Sequence, residues 1–311
     1  MSITHMGTTN KALSRISLGS CPDSWGVWFP DDPKQTPWWR FLDELAAAGY
    51  EWLELGPHGY LPTDPVQLQE EVGKRGLKVS GAGVFGALYR ADRWEADLAD
   101  AKKVAALVQS MGAHYLIYLP EGYRDMEGNF TYAPELDDDE WRRMVTRMAE
   151  IGKIVKEEHD VKLVFHPHAD SHVGRQDQIE RFLADTDSSV VSLCLDTGHV
   201  AYCGGDNLAL IERFPERIGY VHLKQALPEI LAQVQAEQLC FAEAVRRRAM
   251  CEPPHGIPEM EPLLVALGRL DADFFAFVEQ DMYPCDPGAP LPVAKRTRSY
   301  FGQLGLGSGG R

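Results

Sequence analysis

Short apolar runs alternate with amphipathic segments along most of the chain. An apolar run of a few residues is typical of a buried strand, and apolar residues every three or four positions are typical of a helix packed on one face. The runs with the strand pattern are Ile16–Gly19, Trp52–Leu55, Lys78–Ala82, Tyr115–Leu119, Lys162–His166, Val191–Leu195, Ile218–His222 and Phe274–Glu279. This alternation predicts repeated β–α units.

Helical patterns lie between these strands. They cover Trp38–Ala48, Pro65–Lys74, Trp94–Met111, Asp138–Glu158, Arg175–Ala184, Leu208–Phe214 and Met260–Leu270. Gly49, Gly76 and Gly112 each follow a helix, at the position where a left-handed residue commonly ends it. Eight strands joined by helical crossovers fit a closed (β/α)8 TIM barrel of the α/β class better than an open sheet.

One stretch departs from the alternation. The segment 227–258 precedes the last predicted strand, and we expect it to be an insertion of helix and loop over the barrel mouth. The small and polar ends at 1–13 and 306–311 are expected to be a disordered N-terminal tail and a flexible C-terminal tail. The barrel is then expected to be a single domain over residues 14–305, a common length for this fold.

Composition and charge narrow the range of partners. Hydrophobic residues make up 44% of the 311 residues and charged residues 25%, as in globular proteins with a substantial core. The net charge of −15 repels nucleic-acid phosphates and anionic membranes, and no apolar run is long enough to span a bilayer. Six scattered cysteines and the lack of a signal-peptide pattern predict a reduced, cytoplasmic setting. We therefore expect a small-molecule partner, neither nucleic acid nor membrane.

Polar side chains follow the predicted strands at the end where barrels of this kind place their active sites. The fifth strand reads KLVFHPH, so His166 and His168 are two residues apart and can face the same side. A satisfied core histidine is the alternative for either residue. Asp196 closes the apolar run of the sixth strand, where it could bind a metal or cap the following helix.

The second, seventh and eighth strands add further polar groups. RIGYVHLK places His222 and Lys224 on the same side, and Lys224 could polarise a carbonyl or move a proton if burial lowers its pKa. A solvent-facing loop lysine is the alternative. Glu279 follows five apolar or aromatic residues and is not expected to be a surface charge. Glu54 in WLELG is expected to point inward, towards the site or towards a cationic partner.

Four of these residues form a candidate metal site. His166, Asp196, His222 and Glu279 offer two nitrogens and two carboxylates from separate strand ends. Mixed nitrogen and oxygen donors suit Mn²⁺, Co²⁺, Fe²⁺ or Zn²⁺, and the absence of cysteine from the set argues against a closed structural zinc site.

The segment after the first strand, CPDSWGVWF, is rich in aromatic residues. Trp25, Trp28 and Phe29 could form an apolar wall against the carbon face of a sugar ring, or they could pack over the barrel top. No phosphate-binding glycine loop and no nucleophile elbow is present, which disfavours nucleotide and serine-hydrolase chemistry.

The sequence resembles the xylose-isomerase-like barrel superfamily, which includes sugar isomerases, ketose epimerases, inosose dehydratases and a repair endonuclease. The resemblance runs from ISLGS to the final helix. It follows the myo-inosose dehydratase type in HPH, LDTGH followed by GGD, RIGYVHLK, FAEAV, PPHGIPEMEPLL and VEQD. It implies a divalent metal on a keto-polyol and proton removal next to the carbonyl. The metal is expected to be Mn²⁺ or Co²⁺, with Zn²⁺, Fe²⁺ or Mg²⁺ as alternatives.

The resemblance also assigns individual positions. Asp196, His222 and Glu279 match the superfamily's metal positions. His166 stands where many epimerases and isomerases have a glutamate that is both ligand and proton acceptor, so a simple copy of those enzymes is not expected. Gln225 replaces an acid that usually follows HLK in the dehydratase type, and it is a candidate substrate-binding residue with Trp25 and Trp28.

The resulting prediction is a metal-dependent lyase of the inosose dehydratase type, active in inositol catabolism through an enediolate. The candidate acid and base groups are Glu54, Lys224, His168 and His199, together with Glu279, and their roles stay unassigned. The alternatives are an isomerase or epimerase, an eliminating 3-keto-glycoside lyase, an abasic-site endonuclease that the net charge disfavours, and a non-catalytic binding barrel. The oligomeric state stays open, with a homo-oligomer among the options.

Overall fold

Parallel strands close into a barrel in the computed structural model, which describes residues 13–270 and 272–307. The strands are β1 Ile16–Ser20, β2 Trp52–Glu54, β3 Lys78–Gly86, β4 Tyr115–Pro120, β5 Lys162–Phe165, β6 Val191–Asp196, β7 Ile218–Leu223, β8 Gln225–Ala226, β9 Met250–Cys251 and β10 Phe274–Val278. Strands β1 to β7 and β10 form the barrel, in which β1 pairs with both β2 and β10. The predicted single (β/α)8 barrel is confirmed.

Helices surround the barrel and connect its strands. They are α1 Trp38–Ala47, α2 Pro65–Gly73, α3 Trp94–Ser110, α4 Asp138–His159, α5 Gln176–Asp185, α6 Thr197–Tyr202, α7 Asn207–Arg213, α8 Pro228–Glu237, α9 Phe241–Arg246, α10 Met260–Leu267 and α11 Pro290–Gln303. Short 3₁₀ turns lie at Pro22–Trp25, Ala91–Arg93 and Pro215–Arg217. Every predicted strand and helix forms, and β3 continues four residues beyond its predicted end.

Local sequence signals explain where the helices begin and end. Asp137 caps α4, since its side chain accepts hydrogen bonds from the backbone N–H groups of Asp139 and Glu140. The Glu140 carboxylate accepts a hydrogen bond from the backbone N–H of Asp137, which completes a capping box. Gly49 follows α1 with a φ of +88°, in the left-handed region predicted for it.

Two apolar layers support the functional end of the barrel. One lies between strands and helices, and the other fills the barrel interior. The buried members of the inner layer are Cys21, Tyr115, Ile117, Val164, Cys194, Tyr220 and Phe277. This packing closes the barrel below the C-terminal strand ends, so a site at those ends has a solid floor.

The segment 227–258 contains α8, α9 and β9, and β9 pairs antiparallel with β8. Its buried apolar residues, among them Phe241 and Met250, pack against Ala169 and Trp28 from loops at the same end of the barrel. The predicted tails lie outside the described residues except at Leu13, Leu306 and Gly307, and both leucines are buried. None of the helices in the described ranges is long and apolar enough to cross a membrane.

Candidate active site

Four side chains converge where β5, β6, β7 and β10 end. His166, Asp196, His222 and Glu279 each offer a ligand atom, and these atoms all lie within 4.8 Å of one another. The register pairs Asp196 with His222 across β6 and β7, which places both side chains at one level of the barrel. All four residues are buried. Four separate stretches of sequence therefore meet in one cluster.

The donor atoms in this cluster fit a bound cation. His166 Nδ1 is buried and has no hydrogen-bond partner, although buried polar atoms are normally paired. His222 Nδ1 and Glu279 Oε2 lie in direct contact with each other. His222 Nε2 lies 2.8 Å from Glu54 Oε1. When Nε2–H donates to Glu54, the Nδ1 lone pair faces Asp196 Oδ2, at 3.6 Å, and the carboxylate of Glu279. These four donors therefore fit a divalent metal ion.

Asp196 combines the two roles that its sequence position left open. Its Oδ1 accepts a hydrogen bond of 2.7 Å from the backbone N–H of His199 and so caps α6. Its Oδ2 lies 3.3 Å from His166 Nε2 and 3.1 Å from Lys224 Nζ. One oxygen therefore fixes the backbone while the other belongs to the cluster.

Lys224 is a buried cation behind the cluster. Its Nζ lies 2.7 Å from Asp281, 2.8 Å from Glu279 and 3.1 Å from Asp196. Burial alone would lower its pKa, but these carboxylates outweigh burial and raise the pKa well above its usual value. The expectation of a lowered pKa is therefore wrong. The side chain is fully buried and does not line the cavity, so it balances the carboxylates and is not placed to transfer a proton to substrate.

His168 and His199 form a contacting pair at one side of the cluster, with ring centroids 4.0 Å apart and ring planes tilted by 40°. His168 Nδ1–H donates to the Ala169 carbonyl at 2.7 Å, which leaves Nε2 as the acceptor nitrogen. Burial lowers the pKa of His168 to about 3, so its ring is neutral. His199 Nδ1 accepts a hydrogen bond from the Ala169 N–H at 3.2 Å. Only His168 lines the cavity, and His199 lies behind it as a supporting residue.

A cavity of about 430 Å³ opens above the cluster. Its base carries His166, His222, Glu54, Glu279, Asp23 and Asp281, and its apolar wall carries Trp28, Phe29, Phe85, Met126 and Phe241. Trp28 donates its Nε1–H to Asp281 at 3.1 Å and stacks on Tyr283, with centroids 5.2 Å apart. A ligand with an apolar face and several oxygen atoms would match this lining.

Trp25 and Gln225 do not reach the cavity, so their predicted substrate contacts are corrected. The Trp25 ring is fully buried, donates to Glu44 at 2.9 Å and packs edge-on against Phe41. The Gln225 amide donates to the Pro258 carbonyl at 2.6 Å and accepts from the backbone N–H of Gly256 at 3.1 Å. The Trp25 ring therefore belongs to the core, and the Gln225 side chain holds two backbone segments together.

The sequence interpretation missed several cavity residues. Asp281 lies two positions after Glu279, so strand alternation was a signal that could have identified it. Asp23 lines the cavity from the 3₁₀ turn after β1 and Arg124 from the loop after β4, and neither segment has a periodic pattern. Burial and the nearby carboxylates of Glu279 and Asp281 raise the pKa of Asp23 well above its usual value. A protonated carboxyl group at this position could donate a proton.

Two arginines join the walls on either side of the cavity mouth. One wall is the β4 loop, residues 121–136, and the other is the insertion, residues 227–258. Arg124 of the loop donates to the Gln238 carbonyl at 3.2 Å, and Arg246 of the insertion donates to the Met126 carbonyl at 2.9 Å. Both bonds are exposed to solvent. The two walls are therefore linked in both directions.

Comparisons with known proteins agree with this architecture. The model of the family described as xylose isomerase-like TIM barrel matches residues 42–289. Inosose dehydratase of Geobacillus kaustophilus (strain HTA426) is 29% identical over 308 residues, which covers 94% of this chain and 96% of that protein. The solved structure of the IolI protein with a bound zinc atom has a TM-score of 0.70 at 15% identity and covers 93% of this chain and 98% of that chain. L-ribulose 3-epimerase has a TM-score of 0.68 at 17% identity, over 93% and 94% of the two chains. At these identities, the two solved structures support the fold alone.

Proposed function

The chain belongs to the xylose isomerase-like TIM barrel family, and we propose that it is a divalent-metal-dependent lyase that removes water from a keto-polyol or keto-sugar of the inosose class. The observation that carries the proposal is the convergence of His166, Asp196, His222 and Glu279 at the base of a partly apolar cavity. The similarity to inosose dehydratases along nearly the whole chain supports the same reaction class.

The metal would be held by the two imidazoles and two carboxylates of the cluster. A divalent cation supplies positive charge that polarises a carbonyl oxygen and makes the neighbouring C–H more acidic. Mn²⁺ and Co²⁺ suit this mixed donor set, and Zn²⁺, Fe²⁺ and Mg²⁺ are the alternatives. Glu54 keeps the His222 ring in the orientation that presents Nδ1 to the cluster, because it accepts the Nε2–H hydrogen bond.

His168 is the candidate proton acceptor. Its Nδ1–H is held by the Ala169 carbonyl, so the free lone pair of the neutral ring is on Nε2 of a side chain that lines the cavity. The His199 ring packs against this ring and restricts its orientation. Removal of a proton next to a polarised carbonyl would give an enediolate, which can then expel a hydroxyl group from the adjacent carbon.

Asp23 is the candidate proton donor to the departing hydroxyl group. It lines the same cavity, and its raised pKa favours the protonated form that a general acid needs. The apolar wall of Trp28, Phe85 and Phe241 would exclude water and bind the carbon face of the substrate.

The test is to strip the protein with EDTA, dialyse it, and follow water loss from a keto-inositol before and after each divalent metal is returned. We expect turnover to disappear on stripping and to return with Mn²⁺ or Co²⁺. Asp196→Asn should lose metal-dependent turnover, whereas Lys78→Met, at an exposed position on the same barrel, should keep it. Undiminished turnover in the stripped protein would refute the proposal.

Solvent deuterium separates dehydration from the epimerase alternative, since both reactions begin with the same proton removal. A dehydratase releases water and yields an unsaturated ketone. An epimerase incorporates deuterium next to the carbonyl and returns a saturated sugar. Deuterium incorporation without water loss from any keto-polyol tested would favour the epimerase.

A further inference from the structure

A second group of donor atoms lies deeper in the barrel and shares residues with the four-donor cluster. His166, Cys194 and His222 offer ligand atoms that all lie within 4.8 Å of one another, and all three residues are buried. Cys194 precedes Asp196 by two residues on β6, and the register pairs Cys194 with Tyr220 but Asp196 with His222. The thiol therefore lies one side-chain layer below Asp196, about 7 Å along the strand.

We propose that Cys194, His166 and His222 form an overlapping inhibitory site for a soft, thiophilic cation such as Cd²⁺. The donor sets of the two sites differ in chemical softness. The upper cluster adds two carboxylates to the histidines, which suits Mn²⁺ and similar ions, and the lower group adds a sulfur, which soft cations prefer. Cys194 is a free cysteine, so its sulfur is available as a ligand.

The protein's own contacts leave a nitrogen donor for this site. His166 Nδ1 has no hydrogen-bond partner, whereas His222 Nδ1 lies against the carboxylates of Glu279 and Asp196. Both histidines also line the cavity, which gives a cation a route from solvent to the buried thiol. On binding, the Cys194 S–H bond breaks, a sulfur–metal bond forms, and one proton leaves to the buffer without any change of oxidation state.

The shared histidines make the two sites mutually exclusive. A cation bound to Cys194 occupies imidazoles that the upper cluster also needs, so it should compete with Mn²⁺ and inhibit turnover until a chelator removes it. Binding of a cation to the Cys194 thiol does not depend on which reaction takes place in the cavity. If Mn²⁺ and Co²⁺ fail to support dehydration, the proposed function fails while the cysteine site can still be tested.

The experiment is a Cd²⁺ titration of the full-length protein, followed by the ultraviolet thiolate-to-cadmium charge-transfer band. We expect the band to saturate at one Cd²⁺ per chain. Cys194→Ser and Cys194→Ala should each lose the band and bind Cd²⁺ at least tenfold more weakly. Cys21→Ser is the matched control, because Cys21 is buried in the same interior layer but its thiol groups with Asp23 and Glu279.

The outcomes are separable. A band that persists in both Cys194 variants, or that disappears in Cys21→Ser instead, would overturn the assignment. Circular dichroism identifies a Cys194 variant that fails to fold. The assignment is then judged from the Cd²⁺ band of the other Cys194 variant. Excess Mn²⁺ should weaken Cd²⁺ binding at least tenfold, and simultaneous saturation by both ions would overturn mutual exclusivity.

Discussion

Replacing Lys224 with methionine should strongly destabilise the metal-free protein. The ammonium group is fully buried and lies within 3.1 Å of three carboxylates, those of Asp196, Glu279 and Asp281. Methionine has a similar length and keeps most of the packing, so the substitution mainly leaves buried negative charges without their counterion. Removing one partner of a buried ion pair typically costs about 3–5 kcal/mol.

The assay is equilibrium unfolding by urea with EDTA present, supported by thermal melts. A change of 1 kcal/mol shifts the Tm of a large domain by about 2 °C, so the Tm should fall by about 6–10 °C. The same substitution at Lys78, which is half exposed, lies 3.9 Å from Glu51 and lies over the Trp52 ring, should change stability by only about 1 kcal/mol. Equal stability of the Lys224→Met variant and the wild type would refute the role of Lys224 as counterion.

The pH dependence of this loss follows from the carboxylates around Lys224. In the wild type, Lys224 is a main cause of the lowered pKa values of Asp196 and Glu279. A lowered folded-state pKa contributes stability above the unfolded-state pKa, which is about 4 for these groups, and that contribution is lost as the pH falls. The deficit of Lys224→Met should therefore be largest near pH 7 and shrink as the pH is lowered. A deficit that is constant with pH would indicate lost packing instead.

Three further predictions concern residues outside the metal cluster. Gly198→Ala should cost about 1–3 kcal/mol, because an added Cβ would lie 2.4 Å from Lys224 Cγ, and unchanged unfolding would contradict this close approach. Trp25→Phe should lower the free energy of unfolding by about 1–3 kcal/mol, because the hydrogen bond to Glu44 is lost. The KM should not change, and a raised KM would show that Trp25 contacts the substrate. Burial lowers the pKa of His172, so the stability that its neutral ring contributes is complete above about pH 6.5 and is lost as the pH falls. The free energy of unfolding of His172→Gln in urea should therefore depend less on pH between 7.5 and 5.5 than that of the wild type. An identical pH dependence would contradict this.

The barrel and the four-donor cluster could be predicted because both follow from strand periodicity. Strands β5, β6, β7 and β10 each carry a polar residue at or next to their last position. A closed parallel barrel brings these strand ends together, so the pattern within each strand was enough to predict that Asp196 and His222 are neighbours. The short strands Gln225–Ala226 and Met250–Cys251 have two residues each. That length is too short to show a period, so their pairing could not be predicted.

Side-chain direction within loops was the main quantity that the sequence could not supply. Trp25 and Trp28 come from one aromatic segment, yet the 3₁₀ turn Pro22–Trp25 directs the first ring towards Phe41, while the second reaches the cavity. The number of carboxylates around Lys224 also could not be predicted from the sequence. The inward direction of Lys224 follows from alternation, but the direction of its pKa shift depends on how many carboxylates surround it, and that number is a property of the assembled barrel.

The reciprocal arginine bonds across the cavity mouth have a consequence for how a substrate enters. Because Arg124 reaches Gln238 and Arg246 reaches Met126, the two walls can move apart only when both bonds break. At roughly 1 kcal/mol for each solvent-exposed bond, the opened form would make up roughly 3% of molecules at equilibrium. A population of that size would let the mouth widen for a small ligand without an external trigger, while the two bonds hold the walls together in most molecules.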